Sequence, residues 1–142
     1  MEESSLLDDS LESWFALAPD ATDMSYPFIR CAGLMRSLYA LMGGDKALPG
    51  QQDLARDARS ATDEFLLAAL VVVGKGDVNS PEALQRVPRA IMAFAETYAG
   101  RFNRSLEATG TAFDGDEIVL SDLNMCKEVL GFARQRIKNS SL

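Results

Sequence analysis

From Phe65 to Val73 the chain reads FLLAALVVV, nine apolar residues without a polar interruption. This run ends a longer segment that begins near Pro49, whose first half places apolar residues at helical spacing from Leu54 onward. A helix that is apolar on every side has to be surrounded by other elements. We therefore expect this helix to be the most enclosed one, with Leu66, Leu70 and Val73 buried.

Four further segments carry apolar residues three and four positions apart, the spacing of an amphipathic helix. The first is short, opens on a capping pattern at Ser5 and Asp8 and ends at Pro19; it either packs as an ordinary helix or forms a mobile flap. The main helices are expected to run from about Asp23 to Met42, from Pro49 to Val73, from Pro81 to Thr109 with a kink or break at Pro88, and from Ser121 or Asp122 to Asn139. The pattern predicts an all-α bundle of four main helices plus a short N-terminal helix, in one domain spanning residues 1–142.

The composition argues against several kinds of function. The formal charge of −7 disfavours nucleic acid and anionic membranes as partners, and it fits simple solubility or a basic partner. The chain has no histidine, the commonest metal ligand and general base, and two distant cysteines cannot form a Cys-based zinc site. No apolar run reaches the roughly 18 residues that a membrane span needs. We therefore predict no metal, no cofactor and no catalytic residue.

A cluster of carboxylates lies in the longest predicted loop. Asp114, Asp116 and Glu117 resemble part of a calcium-binding loop. Ile118 stands where such a loop needs a further oxygen ligand, so a solvated acidic turn is the simpler interpretation.

Arg30 is the other charged residue that stands out, because it lies on an apolar side of the second helix. A buried guanidinium needs an acidic partner. We expect Arg30 to be at least half buried and paired with Glu96 or Asp122, and we interpret the pair as structural rather than catalytic.

Two short motifs surround the cysteines: residues 30–34 read RCAGL, and residues 122–126 read DLNMC. The pairing is similar to that in a group of small, uncharacterised all-helical bacterial proteins. These tend to carry an R-C-A-x-L helix and a later D-L-x-x-C helix, often behind a signal peptide. The resemblance implies a helical bundle and makes a Cys31–Cys126 disulfide a candidate, but it implies no activity.

The two cysteines are either bridged or buried as free thiols. Each lies on the apolar stripe of its helix and near the expected start of that helix. In a plain up-down-up-down bundle the two helices are antiparallel and the cysteines lie toward opposite ends, whereas a bridge needs Cα atoms within about 7 Å. A crossover through the loop from Gly110 to Leu120 would make the helices parallel and place the cysteines level.

The leading functional hypothesis is a non-catalytic binding or interaction protein, such as an inhibitor, an immunity-type protein or an adaptor. The alternative is a carrier for a small apolar ligand, held between helices by methionine and aromatic side chains. An enzyme that uses carboxylates and arginine ranks third. Residues 1–5, MEESS, are unlike a signal peptide and predict a cytoplasmic location; if a signal has been removed, the periplasm or secretion is the alternative. The identity of the partner and the oligomeric state stay open.

Overall fold

The computed structural model describes residues 6–17 and 23–140, and helices account for most of this part of the chain. The five α-helices are α1, Leu11–Leu17; α2, Ser25–Leu41; α3, Gln52–Val73; α4, Pro81–Thr109; and α5, Glu117–Asn139. Short 3-10 turns at Gly44–Lys46 and Pro49–Gln51 join α2 to α3. The predicted all-α bundle, with four main helices and a short N-terminal one, is confirmed.

Helices α2 and α3 form the central pair, because α4 and α5 each pack against both of them. The approach of α4 to α2 depends on Gly33. A β-carbon at this position would lie 2.5 Å from the β-carbon of Phe94, which is closer than two carbon atoms can come without a shift. The absence of a side chain at Gly33 therefore sets how closely these two helices pack.

The most enclosed stretch is the first half of α2 rather than the apolar run of α3. Every residue from 27 to 34 is buried. In α3, by contrast, Leu66, Leu70 and Val73 are only partly buried, so the prediction that this helix is the most enclosed one is wrong. The physical reason is that residues 6–17 add a further layer over α2 and α5.

Two details differ from the predicted pattern: the register of the buried stripe in α3 and the continuity of α4. In α3, Leu54 is 59% exposed and Ala55 is buried, so the buried stripe starts one residue later than expected. Helix α4 runs through Pro88 as one continuous helix, so the predicted alternative of a break at this position is wrong. Because proline has no N–H, the carbonyl oxygen of Leu84, four residues before Pro88, lacks its usual helical donor. Both residues lie on the exposed side of α4, where water can bind that oxygen.

Helix α5 begins earlier than predicted. Its N-cap is Asp116, not Ser121 or Asp122, and Oδ1 of Asp116 accepts a hydrogen bond from the N–H of Val119 at 3.1 Å. Asp122 consequently lies inside the helix, where it is fully buried. The carboxylate expected to cap the helix is thus available for a contact within the core.

The N-terminal segment, defined here as residues 6–17, consists of a turn followed by α1. The predicted helix start at Ser5 and stop at Pro19 lie outside the described residues, while Asp8 lies in the exposed turn. Ser10 precedes α1, and its Oγ accepts a hydrogen bond from the N–H of Ser13 at 3.1 Å. The segment packs closely onto the bundle, since Leu7 and Leu11 are both fully buried.

Across residues 6–17 and 23–140, no helix combines the length with the apolar character that a membrane crossing requires.

Candidate functional site

Arg30 of α2 and Asp122 of α5 form an ion pair in the interior. Nη2 of Arg30 donates to Oδ2 of Asp122 at 2.6 Å, and Nε donates to the same oxygen at 3.2 Å. The two side chains are 1% and 0% exposed. Of the two carboxylates considered from the sequence, Asp122 is the one that meets Arg30, while Glu96 is exposed on α4.

Two tyrosine hydroxyls extend this pair into a network. Tyr98 donates to Oδ2 of Asp122 at 2.6 Å and accepts from Nε of Arg30 at 3.1 Å. Tyr26 accepts from Nη1 of Arg30 at 2.8 Å. Burial raises the pKa of Tyr98 well above its usual value, and the adjacent Asp122 carboxylate raises it further. Tyr98 therefore stays protonated at neutral pH and acts as a donor to the carboxylate.

The guanidinium of Arg30 also stays charged. Burial on its own lowers the pKa of Arg30, but its contacts with Tyr98 and Asp122 outweigh this effect, so the pKa is raised overall. A charged pair of this kind is maintained in the interior only when its remaining hydrogen-bonding groups are also satisfied.

The N-terminal segment supplies those remaining partners through its main chain. Nη2 of Arg30 donates to the carbonyl oxygen of Asp9 at 2.8 Å, and the N–H of Leu11 donates to Oδ1 of Asp122 at 2.8 Å. A third such contact comes from α4, where Nη1 of Arg101 donates to the carbonyl oxygen of Leu7 at 3.2 Å. Three main-chain groups of the segment thus bind three charged side chains of the bundle.

With the segment in place, this site is closed. Among the described residues, every buried side-chain nitrogen and oxygen has a hydrogen-bond partner. The arrangement binds residues 7–11 of the same chain, and none of its buried side-chain nitrogens and oxygens lacks a partner. It is therefore a recognition site for the protein's own chain.

The sequence pattern did not reveal most of this network. Tyr26, Tyr98 and Arg101 were not assigned to it, and the main-chain contacts of residues 7–11 have no side-chain signature. The one available signal was the spacing of Leu7 and Leu11, which places two apolar side chains one helical turn apart.

Cys31 and Cys126 are bonded to each other, with Cα atoms 5.7 Å apart, and no free cysteine remains in the chain. Both residues are buried. Because α5 starts at Glu117, Cys126 lies in the middle of its helix rather than near the start, so the expectation that both cysteines lie near helix starts is wrong. The bridge lies next to the ion pair, since Cys31 follows Arg30 and Cys126 lies one helical turn after Asp122.

A second ion pair joins α4 to the start of α5. Nε and Nη2 of Arg101 donate to the two carboxylate oxygens of Asp116 at 2.8 and 3.0 Å. Burial alone raises the pKa of Asp116, but the hydrogen bonds from Arg101 and from the N–H of Val119 lower it below its usual value. Asp116 therefore caps the helix and holds Arg101 toward the N-terminal segment.

The acidic loop residues considered as a calcium site make separate structural contacts. Asp116 is engaged by Arg101, and the carbonyl oxygen of Asp114 accepts from Oγ of Ser105 at 2.7 Å. Within residues 6–17 and 23–140, no three carboxylate or cysteine side chains are grouped closely enough to hold a metal ion. An open cleft of about 630 Å³ beside this loop is lined by both signs of charge, including Arg104 and Glu117.

Where the N-terminal segment meets α5, two adjoining clefts of about 370 and 390 Å³ share Glu12 and Ser121 in their walls. Among the residues that the structure describes, no lysine or arginine lines either cleft. We call this surface the acidic face; its carboxylates, all exposed, are Asp8, Asp9, Glu12, Glu117 and Glu128. Partly buried Ile118 and Met125 lie among them, so the face combines apolar patches with a negatively charged rim.

The chain matches no family model, and no match is found among curated proteins or solved structures.

Proposed function

We propose that this protein is a non-catalytic interaction protein, of the inhibitor, immunity or adaptor kind, that binds a basic protein through the acidic face. The observation that carries the proposal is the grouping of five exposed carboxylates around Ile118 and Met125, in two clefts whose described walls contain no lysine or arginine. Protein interfaces typically have an apolar centre inside a polar rim. A negative rim favours encounter with a positively charged partner and repels acidic ones.

The framework beneath the acidic face supports this role. The face is built from the N-terminal segment and α5, which are joined through Leu11 and Asp122 and braced by the Cys31–Cys126 bridge. A surface held in one arrangement loses little conformational entropy when a partner binds. The clefts described above are open and lined mainly by charged and polar residues, which supports binding of a protein surface over storage of a small apolar ligand.

The Cys31–Cys126 disulfide is relevant to the cellular compartment in which the protein is located. Disulfides persist in oxidising environments and are rare in the cytosol. The Cys31–Cys126 bridge therefore supports a periplasmic or secreted location, the alternative to the cytoplasmic location predicted from residues 1–5.

A charge-reversal pair tests the acidic face. Glu117→Lys with Glu128→Lys reverses two carboxylates of the face, and Asp57→Lys with Glu107→Lys makes the same charge change at exposed positions outside it. Wild-type protein and both variants are used to capture proteins from an extract of the source cells, and each retained protein is then purified for titration calorimetry.

We expect a basic protein that binds the wild type and the control variant alike and binds the Glu117/Glu128 variant at least about tenfold more weakly, a difference of about 1.4 kcal/mol. Its affinity should fall with added salt, because exposed charges are screened. Equal binding by both variants, or retention of acidic proteins only, would contradict the proposal.

A further inference from the structure

The N-terminal segment is bound to the bundle in the way that a peptide ligand is bound to a receptor. Its polar contacts with Arg30, Arg101 and Asp122 all use main-chain atoms of the segment. Its fully buried apolar side chains are Leu7 and Leu11, and three partly buried apolar side chains of the segment, including Trp14, also pack against the core. The side chains of Asp8 and Asp9 are exposed and do not contribute to these buried contacts.

The surface that receives the segment, which we call the N-terminal groove, is formed by α2, α4 and α5. Its three charged residues are held from behind by other groups: Arg30 by Tyr26, Asp122 by Tyr98, and Arg101 by Asp116. Positions fixed in this way do not need the N-terminal segment to orient them. The groove is therefore a preformed site for a segment with leucines four residues apart and a main chain that offers two carbonyls and one N–H.

We propose that the N-terminal groove also accepts residues 6–17 of a second copy of this chain, which gives an exchanged dimer. A second copy offers the same two leucines and the same three main-chain groups, so no new contact is needed. Exchange of an identical element between copies is a common route to dimers. At low protein concentration the groove binds the segment of its own chain, because the covalent connection holds that segment at an effective concentration of about millimolar. A second copy competes only when its own concentration approaches that value.

The sole tryptophan of the chain reports directly on occupancy of the groove. Trp14 lies in the N-terminal segment and stacks on Tyr26 with ring centroids 5.3 Å apart. Release of the segment should separate these rings and move the tryptophan emission to longer wavelength. Docking can thus be followed in the full-length protein without an added label.

The test uses an acceptor variant of the full-length chain, Leu7→Asp with Leu11→Asp, whose own segment cannot dock because carboxylates replace two buried leucines. Leu17→Asp is the matched control, since Leu17 belongs to the same segment and is 83% exposed. The probe is a labelled synthetic peptide with the sequence of residues 6–17, measured by fluorescence anisotropy. A peptide carrying the same two leucine substitutions serves as the negative probe.

We expect the acceptor to bind the peptide at least about tenfold more tightly than the wild type or Leu17→Asp, because only the acceptor has an open groove. In sedimentation runs near millimolar concentration, the wild type and Leu17→Asp should form a dimer that the acceptor does not form. If the acceptor does not fold by circular dichroism, Leu7→Ala with Leu11→Ala replaces it.

Two results would overturn the proposal. A folded acceptor with red-shifted Trp14 emission that binds the peptide no better than the wild type would show that the groove does not recognise the segment in trans. Peptide binding with a wild type that stays monomeric near millimolar concentration would exclude a second copy as the occupant.

Discussion

The apolar run of α3 is less buried than its composition suggests, whereas the polar site around Arg30 is more buried than its composition suggests. The run from Phe65 to Val73 contains no polar atom in its side chains, yet five of its nine residues remain partly exposed. Arg30 and Asp122 form an ion pair, yet their side chains are 1% and 0% exposed. At these two places burial thus follows the number of layers that cover a residue rather than the hydropathy of the residue itself.

The difference arises from the N-terminal segment. It lies over α2 and α5, and its main chain satisfies the charged groups that it covers. A buried ion pair is stable only when its geometry and hydrogen bonds offset the cost of removing water. The following predictions test whether the polar site or the apolar run contributes more to stability.

The largest effect is expected from removal of the bridge beside the polar site. Cys31→Ala with Cys126→Ala opens a loop with a sequence separation of 95 and should lower the free energy of unfolding by about 4–5 kcal/mol in the chain-entropy model. Urea denaturation without reductant measures this loss. Titration of denatured wild type should find no reactive thiol, and two reactive thiols per chain would reject the bridge.

Breaking the ion pair should cost nearly as much. Asp122→Ala leaves the Arg30 charge buried without its carboxylate and should destabilise the protein by roughly 3–5 kcal/mol. Arg30→Met with Asp122→Leu removes both charges and should recover part of that loss in the same urea experiment. The recovery is incomplete because the N–H of Leu11 and the hydroxyl of Tyr98 still lose their acceptor. Arg30→Met alone should be tolerated better than Arg30→Ala because the stem of the side chain also packs. A double variant as unstable as Asp122→Ala would contradict the assignment of the cost to an unpaired charge.

Within the apolar run, position should matter more than composition. Ala68→Asp places a carboxylate at a site that is 0% exposed, whereas Leu70→Asp places one at a partly exposed site where water can reach it. We expect Ala68→Asp to lower the free energy of unfolding by at least about 2 kcal/mol more than Leu70→Asp does. Thermal and urea melts of the two variants make the comparison. Equal losses would mean that the run is enclosed evenly after all.

The smallest effect is expected at Asp116, and it should depend on pH. Its pKa is lowered in the folded protein, so its contribution to stability is complete above the unfolded pKa of about 3.9 and is lost as the pH falls through the lower folded value. Asp116→Asn keeps a capping side chain but loses the charge beside Arg101, and it should cost about 1–2 kcal/mol at pH 7. Melts at pH 7 and near pH 2.5 should show a smaller difference from the wild type in acid than at neutral pH. A difference of the same size at both pH values would assign the effect to the cap rather than to the charge.

Much of the helical architecture could be predicted because helix formation leaves local signals. Ser80 and Pro81 mark the start of α4, and Gly110 in the left-handed conformation follows its end. The start of α5 was missed because both Asp116 and Asp122 are good N-cap residues, and only the tertiary contacts decide between them. Leu54 was placed in the core for a similar reason, since the apolar stripe of α3 can be drawn through Leu54 or Ala55.

The sequence by itself determined the all-α class, the approximate helices and the need of Arg30 for a carboxylate, because helical periodicity, caps and the cost of a buried charge are local properties. Tertiary structure alone decided that Asp122 rather than Glu96 meets Arg30, that the main chain of residues 7–11 completes the site, and that α2 is more enclosed than α3. Those outcomes depend on contacts between residues about 90 to 110 positions apart in the chain. No local pattern specifies such contacts, because many pairings satisfy the same charges and only the packing of the helices selects one.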